Sequence, residues 1–273
     1  MLLTIHDQPA YCYTGGKPFD AALPTAVFIH GAQNDHSVWV LQTRYFAHHG
    51  YGVLAVDLPG HGRSGGAPLQ SIEAMADWLL ALLDAAGVQR ALLIGHSMGS
   101  LVALETACRA PARASGLALV ATAYPMKVSD ALLEASRHQE QAAIDMVNIW
   151  SHSAVTPTPS MAGPGSLAIG VGKRLMQRIA ARNPAPVFYT DFSACNNYAN
   201  GAVAAASVAC PALFLLGDKD AMTSARATAP LISAMPNARV VRLENCGHAL
   251  MAEQPDAVLT TLFGFAGSAT SMA

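Results

Sequence analysis

The chain carries little charge. Its 18 acidic and 16 basic residues make up 12% of 273, with a formal net charge of −2. No run of lysine or arginine occurs, so the electrostatic footprint of phosphate-backbone binding is missing and nucleic acid is not an expected partner. Five cysteines (Cys12, Cys108, Cys195, Cys210 and Cys246) are odd in number, scattered and never spaced C-x-x-C. That pattern favours reduced thiols over a disulfide framework or a zinc site. The ten histidines show no H-x-x-x-H spacing, and neither metal nor cofactor is called for. Despite 52% hydrophobic content, no uninterrupted apolar stretch reaches the length of a membrane span. The most apolar helix candidate, Ile72–Ala86, carries Glu73, Asp77 and Asp84. The opening M-L-L-T-I-H-D-Q-P lacks a basic region, an apolar block and a small-residue cleavage site, so no signal peptide is expected. These absences describe a soluble, cytoplasmic protein without a membrane partner. A surface so poor in charge fits a homodimer interface as well as it fits a large core.

What is present centres on Ala91–Leu101, A-L-L-I-G-H-S-M-G-S-L. An apolar run of buried-strand type (Ala91–Ile94) ends in Gly95-His96-Ser97-Met98-Gly99, and a helix-compatible segment, Ser100–Ala110, follows at once. A strand, a sharp turn and a helix leave no room for side chains at 95 and 99, and glycine removes that clash. Ser97, at the apex, would be strained with its hydroxyl exposed. The Met98 N–H, at the helix N-terminus, would face a place where an oxyanion could form.

Leu2–Ile5 and Ala10–Tyr13 read as an opening hairpin. Strands are expected over Thr25–His30, Gly52–Val56, Arg90–Ile94 and Gly116–Thr122, with helical spacing over Trp39–His49 and Ser71–Ala86. Ser71 is placed to cap the second of these helices and Gly87 to end it. Apolar strands alternating with helices predict a parallel sheet covered on both faces. The alternation stops at Ala123. From there to Ala209 no strand is expected: Ser129–Trp150, Val171–Ala181 and Phe188–Ala206 read as helices, and Ser153–Gly165 is rich in Pro, Ser, Thr and Gly. Alternation resumes with Pro211–Leu216, Ser224–Met235, Arg239–Leu243 and Pro255–Phe265, and the small-residue tail Gly267–Ala273 is expected to fray. The domain reading is therefore a core of residues 1–122 and 210–273 with a helical cap over 123–209. That insertion far exceeds the roughly 2–6 residues usual for such a connection.

A serine hydroxyl becomes a nucleophile when a base takes its proton and a third group fixes the base's tautomer. An acid and then a histidine are needed at the ends of later strands, and both occur. Pro211–Leu216 ends in Gly217-Asp218-Lys219-Asp220, and Arg239–Leu243 is followed by Glu244-Asn245-Cys246-Gly247-His248. Spacing does not choose between Asp218 and Asp220. Asp57 reads as a structural group that holds its Pro-Gly loop. His30, His61 and His96 have no carboxylate placed to orient them and read as structural or pocket-lining. Cys246 reads as a small buried residue.

His30-Gly31-Ala32 with Trp39, Asp57-Leu58-Pro59-Gly60-His61-Gly62-Arg63-Ser64, Gly95–Gly99, Gly217–Asp220 and Gly247-His248 occur in one order on fitting elements. In these five motifs, over nearly its whole length, the chain resembles the α/β-hydrolase superfamily, in its serine-hydrolase branch with a helical cap. The resemblance implies an α/β-hydrolase fold, a mostly parallel doubly wound sheet with an inserted all-helical cap. It implies Ser97, Asp220 and His248 as catalytic triad, and the backbone N–H groups of Ala32 and Met98 as oxyanion hole. Serine at 97 separates the chain from branches with a carboxylate nucleophile. The expected activity is hydrolysis of a small-to-medium, largely apolar carboxylic ester through an acyl-enzyme. Lactone or carbon–carbon bond hydrolysis, cofactor-free perhydrolysis and a non-catalytic small-molecule receptor are the alternatives, since fold does not decide among them. Met98, Met126, Met146, Trp150, Met161, Phe188, Tyr189 and Phe192 form an apolar set from which pocket residues would come. Arg137, Lys173, Arg174, Arg178 and Arg182 read as a solvated face.

Overall fold

The chain opens as the hairpin that its first residues predict. β1 (Leu2–Ile5) and β2 (Gln8–Tyr13) pair antiparallel around His6 and Asp7, both at positive φ as a two-residue hairpin turn requires. The computed structural model describes residues 1–153 and 164–271. β2 then pairs antiparallel with β4 (Gly52–Val56), and from β4 onward the sheet is parallel. With β3 (Thr25–Ile29), β5 (Ala91–His96), β6 (Ala114–Val120), β7 (Ala212–Gly217) and β8 (Arg239–Leu243), eight strands run in the order β1-β2-β4-β3-β5-β6-β7-β8. β3, β4, β5 and β7 are buried throughout, which is what their unbroken apolar runs require. The edge strand β8 departs from that pattern: Arg239, Val240 and Arg242 are exposed, and charge there blunts pairing with another chain.

Alternate residues of each strand feed opposite layers. Val27, Ile29 and Leu93 point to the side of α2 (Ile72–Ala85) and α3 (Met98–Arg109), which follows an earlier helix, α1 (Val40–His48). Ala26, Phe28 and Ile94 point to the side where Phe46 of α1 meets Val258, Leu262 and Phe265. The predicted cap on α2 is present: Ser71 Oγ accepts the Ala74 N–H at 3.1 Å, and Gly87 follows the helix at φ +70°.

Between β6 and β7 the described residues hold only helices, α4 (Asp130–His138), α5 (Glu140–Trp150), α6 (Pro164–Arg182), α7 (Val187–Asn197) and α8 (Gly201–Ser207). Two long helices expected here are each divided. Gln139 leaves helical dihedrals (φ −142°, ψ 56°) between α4 and α5. Between α7 and α8, Tyr198 Oη and Asn200 Nδ2 both donate to Glu105 Oε2, at 2.7 and 2.9 Å. A buried carboxylate on α3 thus outweighs helix continuation. Of the expected Pro-, Ser-, Thr- and Gly-rich stretch Ser153–Gly165, residues 154–163, with Met161, lie outside the described residues. After β7 come α9 (Ala225–Ala234), β8, the short α10 (Leu250–Glu253) and α11 (Pro255–Ser271). The tail expected to fray instead extends α11 to Ser271, because Ala266 and Ala269 are buried on its inner side. Among the described residues no helix is long and apolar enough to cross a membrane.

Candidate active site

The Gly95–Gly99 turn is as tight as its glycines imply. A Cβ on Gly95 would lie 2.0 Å from the Gly99 carbonyl oxygen, and one on Gly99 would lie 2.4 Å from that of Ile29. No larger residue fits between β5, β3 and the start of α3. Ser97 sits at φ 54°, ψ −120°, and its N–H is donated to the Val120 carbonyl at 2.9 Å. A non-glycine residue in that region stores strain, here imposed by the strand and helix on either side.

Two later strand ends deliver the partners. The loop after β8 brings His248 Nε2 to 2.9 Å from Ser97 Oγ, and its Nδ1 to 2.9 Å from Asp220 Oδ2 after β7. A carboxylate at Nδ1 fixes the proton there and leaves Nε2 to accept from the serine hydroxyl. Asp220 Oδ1 accepts the N–H groups of Met222 and Thr223, and its Oδ2 also accepts the Thr223 hydroxyl. Burial would raise the Asp220 carboxyl, but the charge and hydrogen bond of His248, with those from Thr223, hold it well below the usual carboxylate range. Asp218, the other acid of the turn, faces elsewhere. It is one-third exposed, beside Lys219 Nζ at 3.7 Å, and accepts the Cys246 N–H.

Met98 is the first residue of α3, so its N–H is among those a helix N-terminus leaves unpaired within the helix. A Cβ on Gly31 would come 3.2 Å from Ser97 Cβ, so the Gly31-Ala32 segment passes beside the serine, and Ala32 lines the same cavities as Ser97. His30 holds that segment. Its Nδ1–H is donated to the Gly31 carbonyl at 2.8 Å, and its Nε2 accepts the Leu58 N–H at 3.1 Å. Burial, helped by the nearby charge of His61, lowers His30 to about 4, consistent with this neutral tautomer. His96 gives its Nε2–H to the His248 carbonyl at 2.9 Å and is lowered to about 3, by burial first and by the charge of His248 next. Both hold backbone, and His96 also lines a cavity at the serine, within the expectation of structural or pocket-lining groups.

His61 corrects the expectation that no carboxylate orients it. Asp191 of α7 lies 2.8 Å from its Nε2, a partner 130 positions away that no local motif reveals. Asp57 does hold its loop, accepting the N–H and Nδ1–H of His36 at Oδ1 and the Arg63 N–H at Oδ2. Cys246 is fully buried, and burial pushes its thiol up to about 12. The basic residues of the inserted helices do not form a purely solvated face. Arg178 pairs with Asp35 at 2.9 Å, Arg182 donates to the Gly62 carbonyl, and Lys173 pairs with Asp145. Among the described residues one group of potential metal ligands comes together, Asp35, His36 and Asp57. Asp35 is already engaged by Ser37 and Arg178, and Asp57 by His36 and Arg63, so the donor set serves the loop.

Two cavities meet at the serine. One of about 550 Å³ extends past Val38, Leu175 and Ala252, and one of about 370 Å³ past Met126, Leu132 and Trp150. Ala32, Ser97, Phe192, Met222 and His248 line both. Of the apolar set read from sequence, Met126, Trp150 and Phe192 reach these cavities, while Met98 and Phe188 are fully buried in the core.

The sequence model described as "Alpha/beta hydrolase family" matches residues 26–261. The chain is similar to the dihydrolipoyllysine-residue acetyltransferase component of the acetoin cleaving system of Pseudomonas putida, 39% identical over 110 residues, which is 40% of this chain and 28% of that protein. It therefore spans well under half the length of that curated relative. It is also similar to (E)-2-((N-methylformamido)methylene)succinate hydrolase of Acinetobacter baylyi, 24% identical over 85% of this chain and 86% of the relative. In fold it resembles the crystal structure of the enol-lactonase from Burkholderia xenovorans LB400, with TM-score 0.81 and 20% identity over 97% and 99% of the two chains.

Proposed function

The chain belongs to the alpha/beta hydrolase family, and from that premise we propose that it is a serine hydrolase of small-to-medium, largely apolar carboxylic esters and lactones. One observation carries the reading: the unbroken hydrogen-bond chain Ser97 Oγ–His248–Asp220 lies where two mainly apolar cavities meet. An ester has a group on each side of its scissile bond, and a cavity on each side of the serine suits both.

In this mechanism His248 Nε2 takes the Ser97 proton as Oγ attacks the carbonyl carbon. The tetrahedral oxyanion forms between the N–H groups of Ala32 and Met98, and losing one such donor typically costs about 10²–10³ in turnover. His248 passes the proton to the leaving alcohol, and Asp220 stabilises the imidazolium in between. Water activated by the same imidazole then releases the acid from Ser97. The helices of 123–209 act as the cap over this centre, α4 walling the smaller cavity, α6 the larger and α5 both. The five free cysteines are consistent with the proposed cytoplasmic setting.

Hydrolysis of p-nitrophenyl esters from acetyl to octanoyl by the wild type and by Ser97→Ala tests the reading. The wild type is expected to turn over with a preference for the shorter acyl chains, and Ser97→Ala is expected to fall to near background. A wild type inert toward all esters and lactones rejects it.

A further inference from the structure

The inserted helices bring a fully buried charge of their own to the core. Asp191 on α7 has no exposure, and its Oδ2 accepts two hydrogen bonds at 2.8 Å each, from the backbone N–H of Gln33 and from His61 Nε2. His61 also gives its Nδ1–H to the Pro59 carbonyl at 3.1 Å. Both ring nitrogens therefore face acceptors, which only an imidazolium satisfies. Burial opposes that charge, and facing Asp191 outweighs it, so His61 titrates above its ordinary value. Asp191 Oδ1 is buried with no hydrogen-bond partner among the described residues. An ion pair with an orphan oxygen is an expensive way to fasten two segments, because apolar side chains of similar volume would serve as well or better. Its presence points to a role beyond adhesion.

The place where the pair lands supplies that role. Gln33 follows Ala32 and sits at φ +53°, a conformation that costs a non-glycine residue energy unless its surroundings enforce it. The peptide planes on both sides of Ala32 are pinned by buried side chains. His30 holds the Gly31 carbonyl, and Asp191 holds the Gln33 N–H. Because the Gly31 carbonyl and the Ala32 N–H share one planar unit, fixing both neighbours leaves the Ala32 N–H a single direction. We propose that Asp191 is a positioning residue for the Ala32 amide: the inserted helices hold the oxyanion turn in its receiving geometry, and catalysis depends on their being seated at this bond. This rests on the reading of Ala32 as an oxyanion donor.

Asp191→Asn tests it with little change in volume. A neutral amide oxygen at the Oδ2 position accepts from the Gln33 N–H and from His61 more weakly than the carboxylate does, and it removes the counter-charge that holds the His61 imidazolium. The expected result is a kcat for p-nitrophenyl butyrate lowered about tenfold to hundredfold with KM within about threefold of wild type, the signature of an interaction made in the transition state. The affinity for a trifluoromethyl ketone, which forms a tetrahedral oxyanion adduct on Ser97, falls in parallel. The control is Asn183→Ala, which removes a different bond between the same segments, from Asn183 Nδ2 to the Gly60 carbonyl at 3.2 Å. It should retain both kcat and ketone affinity. Should Asp191→Asn fail to fold, Asp191→Glu keeps the charge while moving the carboxylate by one methylene, and kcat must fall there too. Wild-type kcat and ketone affinity in a folded Asp191 variant overturn the inference, as does an equal loss in Asn183→Ala. A wild type that neither hydrolyses the ester nor binds the ketone overturns the hydrolase reading, and this inference with it. An active wild type beside an unaffected Asp191 variant overturns this inference alone.

Discussion

At the scale of single residues, the two acids of the Gly217–Asp220 turn make opposite predictions. In the proposed mechanism Asp220 fixes the His248 tautomer, so Asp220→Asn is expected to lower kcat by about 10³–10⁴ with the protein still folded. Asp218→Asn should leave kcat at the wild-type level, since its carboxylate meets Lys219 and the Cys246 N–H instead. Steady-state kinetics on the two purified variants decides between them, and a large loss in Asp218→Asn with an active Asp220→Asn would reverse the assignment. The placing of Ser97 and His248 at strand ends is legible in the sequence because each is tied to local punctuation, glycines that only a sharp turn needs. The choice of Asp220 over Asp218 is not, since both follow one strand end and only the packed position of His248 separates them. Asp191 is harder still. Its partners His61 and Gln33 lie 130 and 158 positions away, and nothing in V-F-Y-T-D-F marks that aspartate as buried.

At the scale of elements, capping and close approach give separable effects. Ser71→Ala removes the side-chain acceptor at the start of α2, far from the serine, and should cost about 1 kcal/mol of stability without altering kcat. Gly99→Ala must push a methyl into the Ile29 carbonyl, and is expected to lose roughly 3 kcal/mol or more together with activity. Urea unfolding read alongside ester turnover distinguishes the two, and equal behaviour would mean the Gly95–Gly99 turn is looser than its distances indicate. The sheet and α2 follow from apolar runs and caps visible in the sequence. The divided helices between β6 and β7 do not, because the turn at Tyr198–Asn200 is set by a buried carboxylate on a different element. Glu105→Ala should therefore loosen α7 and α8 as well as remove the Arg109 ion pair, a loss on the order of 3 kcal/mol.

For the whole molecule, the buried histidines give stability a direction with pH. His30 and His96 stay neutral in the folded chain down to about 4 and about 3, whereas an exposed histidine titrates near 6.5. Between those values the unfolded chain binds more protons than the folded one, so these two groups lower stability as pH falls below about 6.5. His61, raised in the folded state, acts in the opposite sense: its contribution is present below the unfolded value and lost as pH rises through the folded one. Asp220, depressed, contributes above about 3.9 and loses that contribution only in stronger acid. With two depressed histidines against one raised, unfolding free energy is expected to decline from pH 7 to pH 5. Removing the opposing term with Asp191→Asn should steepen the decline. A wild-type protein that grows more stable over that interval would contradict this balance.

The central claim, that Ser97 is a nucleophile activated by His248, is tested most directly by covalent labelling with a fluorophosphonate and peptide mass mapping. The account predicts one adduct per chain on the peptide containing Ser97, none in Ser97→Ala, and labelling slowed at least about a hundredfold in His248→Gln. An adduct on another residue, or no adduct on a folded wild type, would contradict it.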